Sequence, residues 1–162
     1  MNRPARSKRV LGIDPGYDRL GLAVLEESAG KTVHLWSDCI QIGKGSGEAR
    51  LAEVFAAVSG AVAEYRPNKA AIEGLFFSTN RKTALAVAEA RGAVLAALGT
   101  LKVPVLEYTP GQIKVAVTGY GSADKKAIET MVSRLISLPK KKRLDDEFDA
   151  LATALCGLST WG

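Results

Sequence analysis

The stretch "VLGIDPGYDRLGLAV", residues 10–24, places one aspartate at the end of a short apolar run, directly before Pro15-Gly16. An apolar run of this length, closed by a proline–glycine pair, reads as a buried strand running into a turn. "RLGLAVLEE", 19–27, reads as a second strand, and "TVHLWSDCIQI", 32–42, as a third after the turn "SAGK". Strands joined by such short turns pair antiparallel, so a three-strand meander is predicted, its first strand (8–14) ending on Asp14. A charge is costly within a buried strand and ordinary in a turn. Whether Asp14 forms a turn or does chemistry depends on which other acids the fold brings to it.

After the loop "GKGSG" the hydrophobic period changes. "EARLAEVFAAVSGAVAEY", 48–65, carries apolar residues at helical spacing and is stopped by "RPN". A strand "KAAIEG" (69–74), a long helix (80–101), a strand "VPVLEY" (103–108) and a short helix (109–119) follow. The short helix has a marked start: Thr109 as cap, Pro110 at the first position and Gln112 where a capping box needs it. Next come a helix over 122–138 capped by Ser122, a loop "PKKKR", and a last helix over 145–159. This order predicts an α/β fold: a mixed five-stranded sheet with helices on both faces, the later strands parallel to the first. Without internal repeat or long linker, 9–160 is expected to form a single domain behind a disordered basic tail, 1–8.

The chain's 162 residues suffice for one well-buried core, and 47% hydrophobic with 24% charged residues is ordinary for a folded domain. No uninterrupted apolar run approaches the ~20 residues of a membrane span. The opening "MNRPARSKR" lacks the apolar segment of a secretory signal, so a cytoplasmic location is expected. Cys39 and Cys156 are far apart without metal-like spacing, and are expected to pack as small apolar groups in a reducing compartment. One histidine, His34, argues against a histidine-rich zinc site or a Ser-His-Asp triad. A net charge of +5 permits an anionic partner.

Asp14 ends the first strand and Glu73 the fourth, so parallel neighbours would bring both to one carboxyl edge, where open α/β sheets place their ligands. The last helix opens with Asp145, Asp146, Glu147 and Asp149, and Asp149 shares a face with either Asp145 or Asp146. Taken singly, a strand-end aspartate is a turn former and an acidic first turn is a favourable cap. Taken together, four carboxylates at one edge would repel unless cations neutralised them. Oxygen ligation without histidine or cysteine suits magnesium or manganese. The residues therefore point to metal-dependent phosphoryl transfer, for which two ions ~4 Å apart are suited.

"LGIDPG", "AIEGLFF", "ALAVAEARGAV", "EYTPGQIKVAVTGYGSADK" and the D-x-x-D-A run "DEFDA", in this order, resemble the RuvC family of bacterial Holliday junction resolvases over residues 9 to 157. The resemblance implies a ribonuclease H-like fold, a homodimer, two Mg²⁺ or Mn²⁺ ions per site, and paired nicks across a four-way DNA junction that leave 5′-phosphate and 3′-hydroxyl ends. It implies cooperation with the branch-migration proteins RuvA and RuvB. Carried over by motif, the catalytic and metal-binding acids are Asp14, Glu73, Asp146 and Asp149. The three-residue step to Asp149-Ala150 selects Asp146, while Asp145 at a four-residue step stays open.

Assigning four acids to metals raises the positive excess from +5 to +9, which suits a polyanion. Asn80, Arg81 and Lys82 open the long helix, where exposed amides and cations can hold phosphates. Lys114 and Lys125 match lysines that the family places beside its site, and the family's aromatic wedge falls at Phe76. Phe77 is open between stacking on an unpaired base and core packing. The run 140–143 reads as a DNA fastener or as a solvated loop. Small residues at Ala84, Ala88, Gly92 and Ala96 let a second backbone approach the long helix, either its own sheet or a partner copy. Two rivals are a YqgF-like or ribonuclease H-like nuclease acting on RNA, and a junction binder that does not cut.

Overall fold

The computed structural model describes residues 7–74 and 81–161. A meander of β1 (Lys8–Asp14), β2 (Arg19–Ser28) and β3 (Lys31–Gln41) is followed by α1 (Gly47–Tyr65), β4 (Lys69–Glu73), α2 (Arg81–Thr100) and β5 (Val105–Tyr108). Three helices close the chain: α3 (Pro110–Thr118), α4 (Lys125–Leu135) and α5 (Asp145–Ser159). The strand order is β3-β2-β1-β4-β5. β1 pairs antiparallel with β2 and parallel with β4, with Ile13 opposite Ile72. The mixed five-stranded sheet therefore has the composition and sense that the sequence predicts. Residues 1–6 of the expected tail lie outside the described residues, and Lys8 already belongs to β1.

Strand alternation divides the core in two. Leu11, Ile13, Leu22, Val24 and Ile72 turn to one face, where Val54 and Val58 of α1 and Val94 and Leu98 of α2 cover them. Val10, Ala23, Leu25 and Ala71 turn to the other, under α5 with α3 and α4 behind it. The same period of two sends Asp14 and Glu73 to the α5 side. There the sheet is thin. A Cβ on Gly12 would stand 2.1 Å from the Ala150 carbonyl oxygen, and one on Gly21 would stand 2.0 Å from that of Asp146. Only glycine admits this approach, so the two strands let α5 lie with its backbone against the sheet.

α3 starts as expected: Gln112 N–H donates to Thr109 Oγ1 at 3.1 Å, and the Gln112 side chain accepts from Thr109 N–H at 2.8 Å. The start of α4 departs from expectation. Its cap is Asp124, whose Oδ1 accepts from Ala127 N–H at 2.8 Å, and not Ser122. Both residue types cap helices, but Asp124 is the last before the apolar period of Ile128 and Val132 begins. The apolar-run reading also missed that α2, as a helix, is long and apolar enough to cross a membrane. In the fold, Val94, Ala97 and Leu98 pack on the sheet, while Leu85 is 66% exposed and nothing lies within 4 Å of a Cβ added at Gly92.

Candidate active site

Because β1 and β4 are parallel neighbours, Asp14 and Glu73 emerge at the same carboxyl edge, one strand apart. α5 brings its first turn to the same place. A single point, the Cβ position missing from Gly21, lies 2.0 Å from the Asp146 carbonyl oxygen and 3.2 Å from Asp14 Cβ. Close backbone packing thus sets Asp146 beside Asp14, and Asp149 follows one helical turn later.

The electrostatics report this convergence. Burial pushes the Asp14 carboxyl up to about 7, with further increases from the charges of Asp149, Asp146 and Glu73 and a counter-effect from Lys125. Asp145 lies exposed, 3.4 Å from Lys125 Nζ. Glu73 is raised by burial and by Asp149, against Lys114. Burial also raises Asp149; Lys125, 4.0 Å away, opposes it, and Asp146, Asp145 and Glu129 add to it. Lys125 is in turn raised, mostly by Asp149. Glu73, Asp149, Lys114 and Lys125 share a cleft of about 400 Å³ floored by Ile113 and Ile128.

Among the described residues no three Asp, Glu, His or Cys side chains already stand close enough to hold an ion without moving. The donor set nonetheless fits a hard divalent cation: carboxylate oxygens from three elements, with local negative charge that the nearby lysines leave uncompensated. The fit lies in the chemistry of the donors and their backbone placement at one sheet edge.

Several contacts at this edge have no counterpart in the sequence reading. Arg19 Nε forms an ion pair with Asp146 Oδ2 at 3.1 Å. Cys39, expected to act as a small apolar group, is only half-buried, and its Sγ donates to the same oxygen at 3.8 Å. Burial, then Asp146, push its thiol up to about 11. Cys156 is buried, as expected. Arg91, buried in α2, donates to the Glu73 carbonyl oxygen at 2.8 Å and to Glu107 Oε1 at 2.6 Å, tying the end of β4 to its neighbours. A lone arginine in the apolar run "ALAVAEARGAV" was the available signal for it.

The residues expected to grip DNA divide into three groups. Lys114 and Lys125 line the cleft. Arg81 and Lys82 are exposed in the first turn of α2. Phe76, Phe77 and Asn80 lie outside the described residues. In the basic loop Lys140 and Lys142 are exposed, whereas Lys141 and Arg143 are engaged with Glu147 at 3.0 and 3.1 Å.

Residues 10–157 match the family described as crossover junction endodeoxyribonuclease RuvC. The chain is 44% identical to the enzyme of that name from Moorella thermoacetica over 151 residues, covering 93% of this chain and 90% of the relative. It is also 44% identical to that of Thermosipho melanesiensis over 149 residues, covering 91% and 95%. The fold superposes on Thermus thermophilus RuvC in complex with Holliday junction substrate with a TM-score of 0.86, at 34% identity and 93% coverage of both chains. The yeast mitochondrial Holliday junction resolvase Ydc2, 13% identical, shares the fold with a TM-score of 0.69 over 92% of this chain and 77% of that one. The architecture is thus ribonuclease H-like, and the chain belongs to the RuvC family of crossover junction endodeoxyribonucleases.

Proposed function

We propose that this enzyme resolves Holliday junctions as a homodimer by two symmetric nicks, with Asp14, Glu73, Asp146 and Asp149 as the acids that hold two Mg²⁺ or Mn²⁺ ions. The observation that carries this reading is the meeting of strand-end and helix-first-turn carboxylates with two lysines at one sheet edge, in a chain that superposes on a junction-bound relative. When bound, the ions would supply charge neutralisation, activation of the attacking water and stabilisation of the leaving oxygen. The four acids supply negative oxygens to the ions and must be unprotonated to do so. Cleavage therefore falls in acid and rises toward mildly alkaline pH. Lys114 and Lys125 place positive charge beside the scissile phosphate and stabilise charge developing there. Arg81, Lys82 and Asn80 hold flanking phosphates, and Phe76, with Phe77 beside it, stacks at the opened junction.

The small face of α2, half-buried at Ala84 and Ala88 and exposed at Gly92 and Ala96 with exposed Leu85 beside it, is the surface on which we place the twofold partner. A twofold enzyme presents equivalent sites to the two equivalent strands of a junction. Hydrolysis at this site yields 5′-phosphate and 3′-hydroxyl ends. RuvA and RuvB are the partners that would deliver the junction, in the cytoplasm where the chromosome lies. Residues 9–160 act as one nuclease unit.

The test offers the purified chain a mobile four-way junction, a linear duplex and an RNA–DNA hybrid, each with Mg²⁺ or Mn²⁺. Ligatable paired nicks in the junction alone, lost by a factor of roughly 10³ or more in Asp14→Asn, are expected. Preferential cutting of the hybrid would favour the RNA nuclease, and junction binding without cutting in either metal would favour a binding module. Asp146→Asn should abolish cleavage and Asp145→Asn should not; equal losses would overturn the choice between them.

A further inference from the structure

Glu73 and Asp149 line the cleft, whereas Asp146 has contacts of its own outside that lining. Arg19 Nε forms an ion pair with Asp146 Oδ2 at 3.1 Å, and Cys39 Sγ donates to that same oxygen at 3.8 Å. Among the described residues no hydrogen bond or ion pair involves the other oxygen, Oδ1. The two groups come from different strands. Arg19 opens β2 and Cys39 lies on β3, and the register sets Arg19 opposite Gln41 and Gly21 opposite Cys39. Gly21 is the position against which the Asp146 backbone is pressed, 2.0 Å from its missing Cβ. The α5 backbone is therefore fixed by Gly21, while the carboxylate plane is fixed by the residues on either side of it.

We infer that Arg19, assisted by Cys39, is a positioning residue for Asp146: together they engage Oδ2 and leave Oδ1 to the divalent ion. The inference rests on the proposed metal-holding role of Asp146 and adds the residues that aim it. A carboxylate gripped by one oxygen cannot rotate freely, so less conformational freedom is lost when the ion arrives; such outer partners are typically worth ~10–100-fold in metal affinity. Arginine suits the task, since its fixed charge needs no proton balance and its planar group holds a defined direction. Its position at the half-exposed end of a strand means its removal leaves the core intact.

The measurement is Mn²⁺ binding to DNA-free protein, read from the free-ion electron paramagnetic resonance signal, for wild type, Arg19→Gln, Arg19→Lys, Cys39→Ala and Asp14→Asn. Arg19→Gln is expected to weaken Mn²⁺ binding about tenfold with little change in thermal stability. Arg19→Lys should recover part of the loss and Cys39→Ala should lose less than Arg19→Gln. Tighter Mn²⁺ binding in Arg19→Gln would overturn the inference by making Arg19 a competitor of the ion. Unchanged affinity, with Asp14→Asn still defective, would overturn it alone by reducing the pair to a surface ion pair. Absence of Mn²⁺ binding in the wild type would overturn the metal reading and this inference with it.

Discussion

Two acidic environments meet at the start of α5, and they are built on opposite principles. Glu147 is only 2% exposed, yet two cations and a hydroxyl converge on its carboxylate. Its Oε1 accepts from Ser37 Oγ at 2.6 Å and meets Arg143 Nε at 3.1 Å and Lys141 Nζ at 3.0 Å, while His34 Nε2 backs Ser37 at 2.8 Å. Asp14 has acids for neighbours instead: Asp149, Asp146 and Glu73 all act on it, and burial with this repulsion drives its carboxyl up to about 7. A buried acid that the fold intends to keep is surrounded by donors. One that the fold leaves short of positive charge is a place where cations from outside belong.

The contrast also separates structure from chemistry within a single turn of helix. Glu147 fastens the basic loop and β3 to α5, and so sets the rotation of the helix that carries Asp146 and Asp149. The price of the arrangement falls on Asp14, whose carboxyl is pushed up to about 7 by burial and its acidic neighbours.

The largest expected effect is on the satisfied cluster. Glu147→Ala strands Arg143, whose side chain is only 6% exposed, without its carboxylate. Breaking a buried ion pair from one side costs about 3–5 kcal/mol, which for a chain of this size lowers the melting temperature by roughly 10 °C. A loss under about 1 kcal/mol would mean that the cluster is solvated and that the contrast with Asp14 is false.

The frustrated cluster should respond with the opposite sign. The folded Asp14 carboxyl keeps its proton up to about pH 7, whereas its ordinary value is 3.8. Between those values the folded state binds more protons than the unfolded, so metal-free stability falls as pH rises through this window. Asp14→Asn removes that penalty. In EDTA at pH 8 it should melt higher than wild type, by on the order of 3 kcal/mol, and at pH 4 the two should coincide. Mn²⁺ should narrow the gap by stabilising the wild type only. Equal melts at pH 8 would show that Asp14 is not strained by its neighbours.

The fold was legible wherever one segment carried its own signal. The short apolar run before Pro15-Gly16 defined β1, and the sequence capping box defined α3. The acids at the strand ends and on α5 were legible for the same reason, since topology alone brings β1 and β4 together. What escaped was pairing across long separations. Ser37 and Glu147 are 110 residues apart, and Cys39 and Asp146 107. Nothing local in "SDC" or "DDEFD" says that they meet, because the meeting depends on how deeply α5 sinks onto Gly12 and Gly21. Misplacing the α4 cap at Ser122 was a smaller failure, a choice between two competent caps separated by one residue.

The smallest expected effect divides the basic loop itself. Lys141 and Arg143 are held by Glu147, and Lys141 also donates to the Ser37 carbonyl at 3.0 Å. Lys140 and Lys142 are exposed and point to no such partner among the described residues. Each lysine that neutralises one phosphate contributes about one unit to the slope of log affinity against log salt. Replacing Lys140 and Lys142 by alanine should lower the slope of junction binding by at most about 2 and weaken affinity several-fold, with unchanged melting. Replacing Lys141 should instead lower the melting temperature and leave the slope nearly as it was. If all three lysines altered the slope alike, the loop would be a plain electrostatic contact, and Glu147 would be one more acid in a charged surface instead of the anchor that decides which lysines reach the DNA.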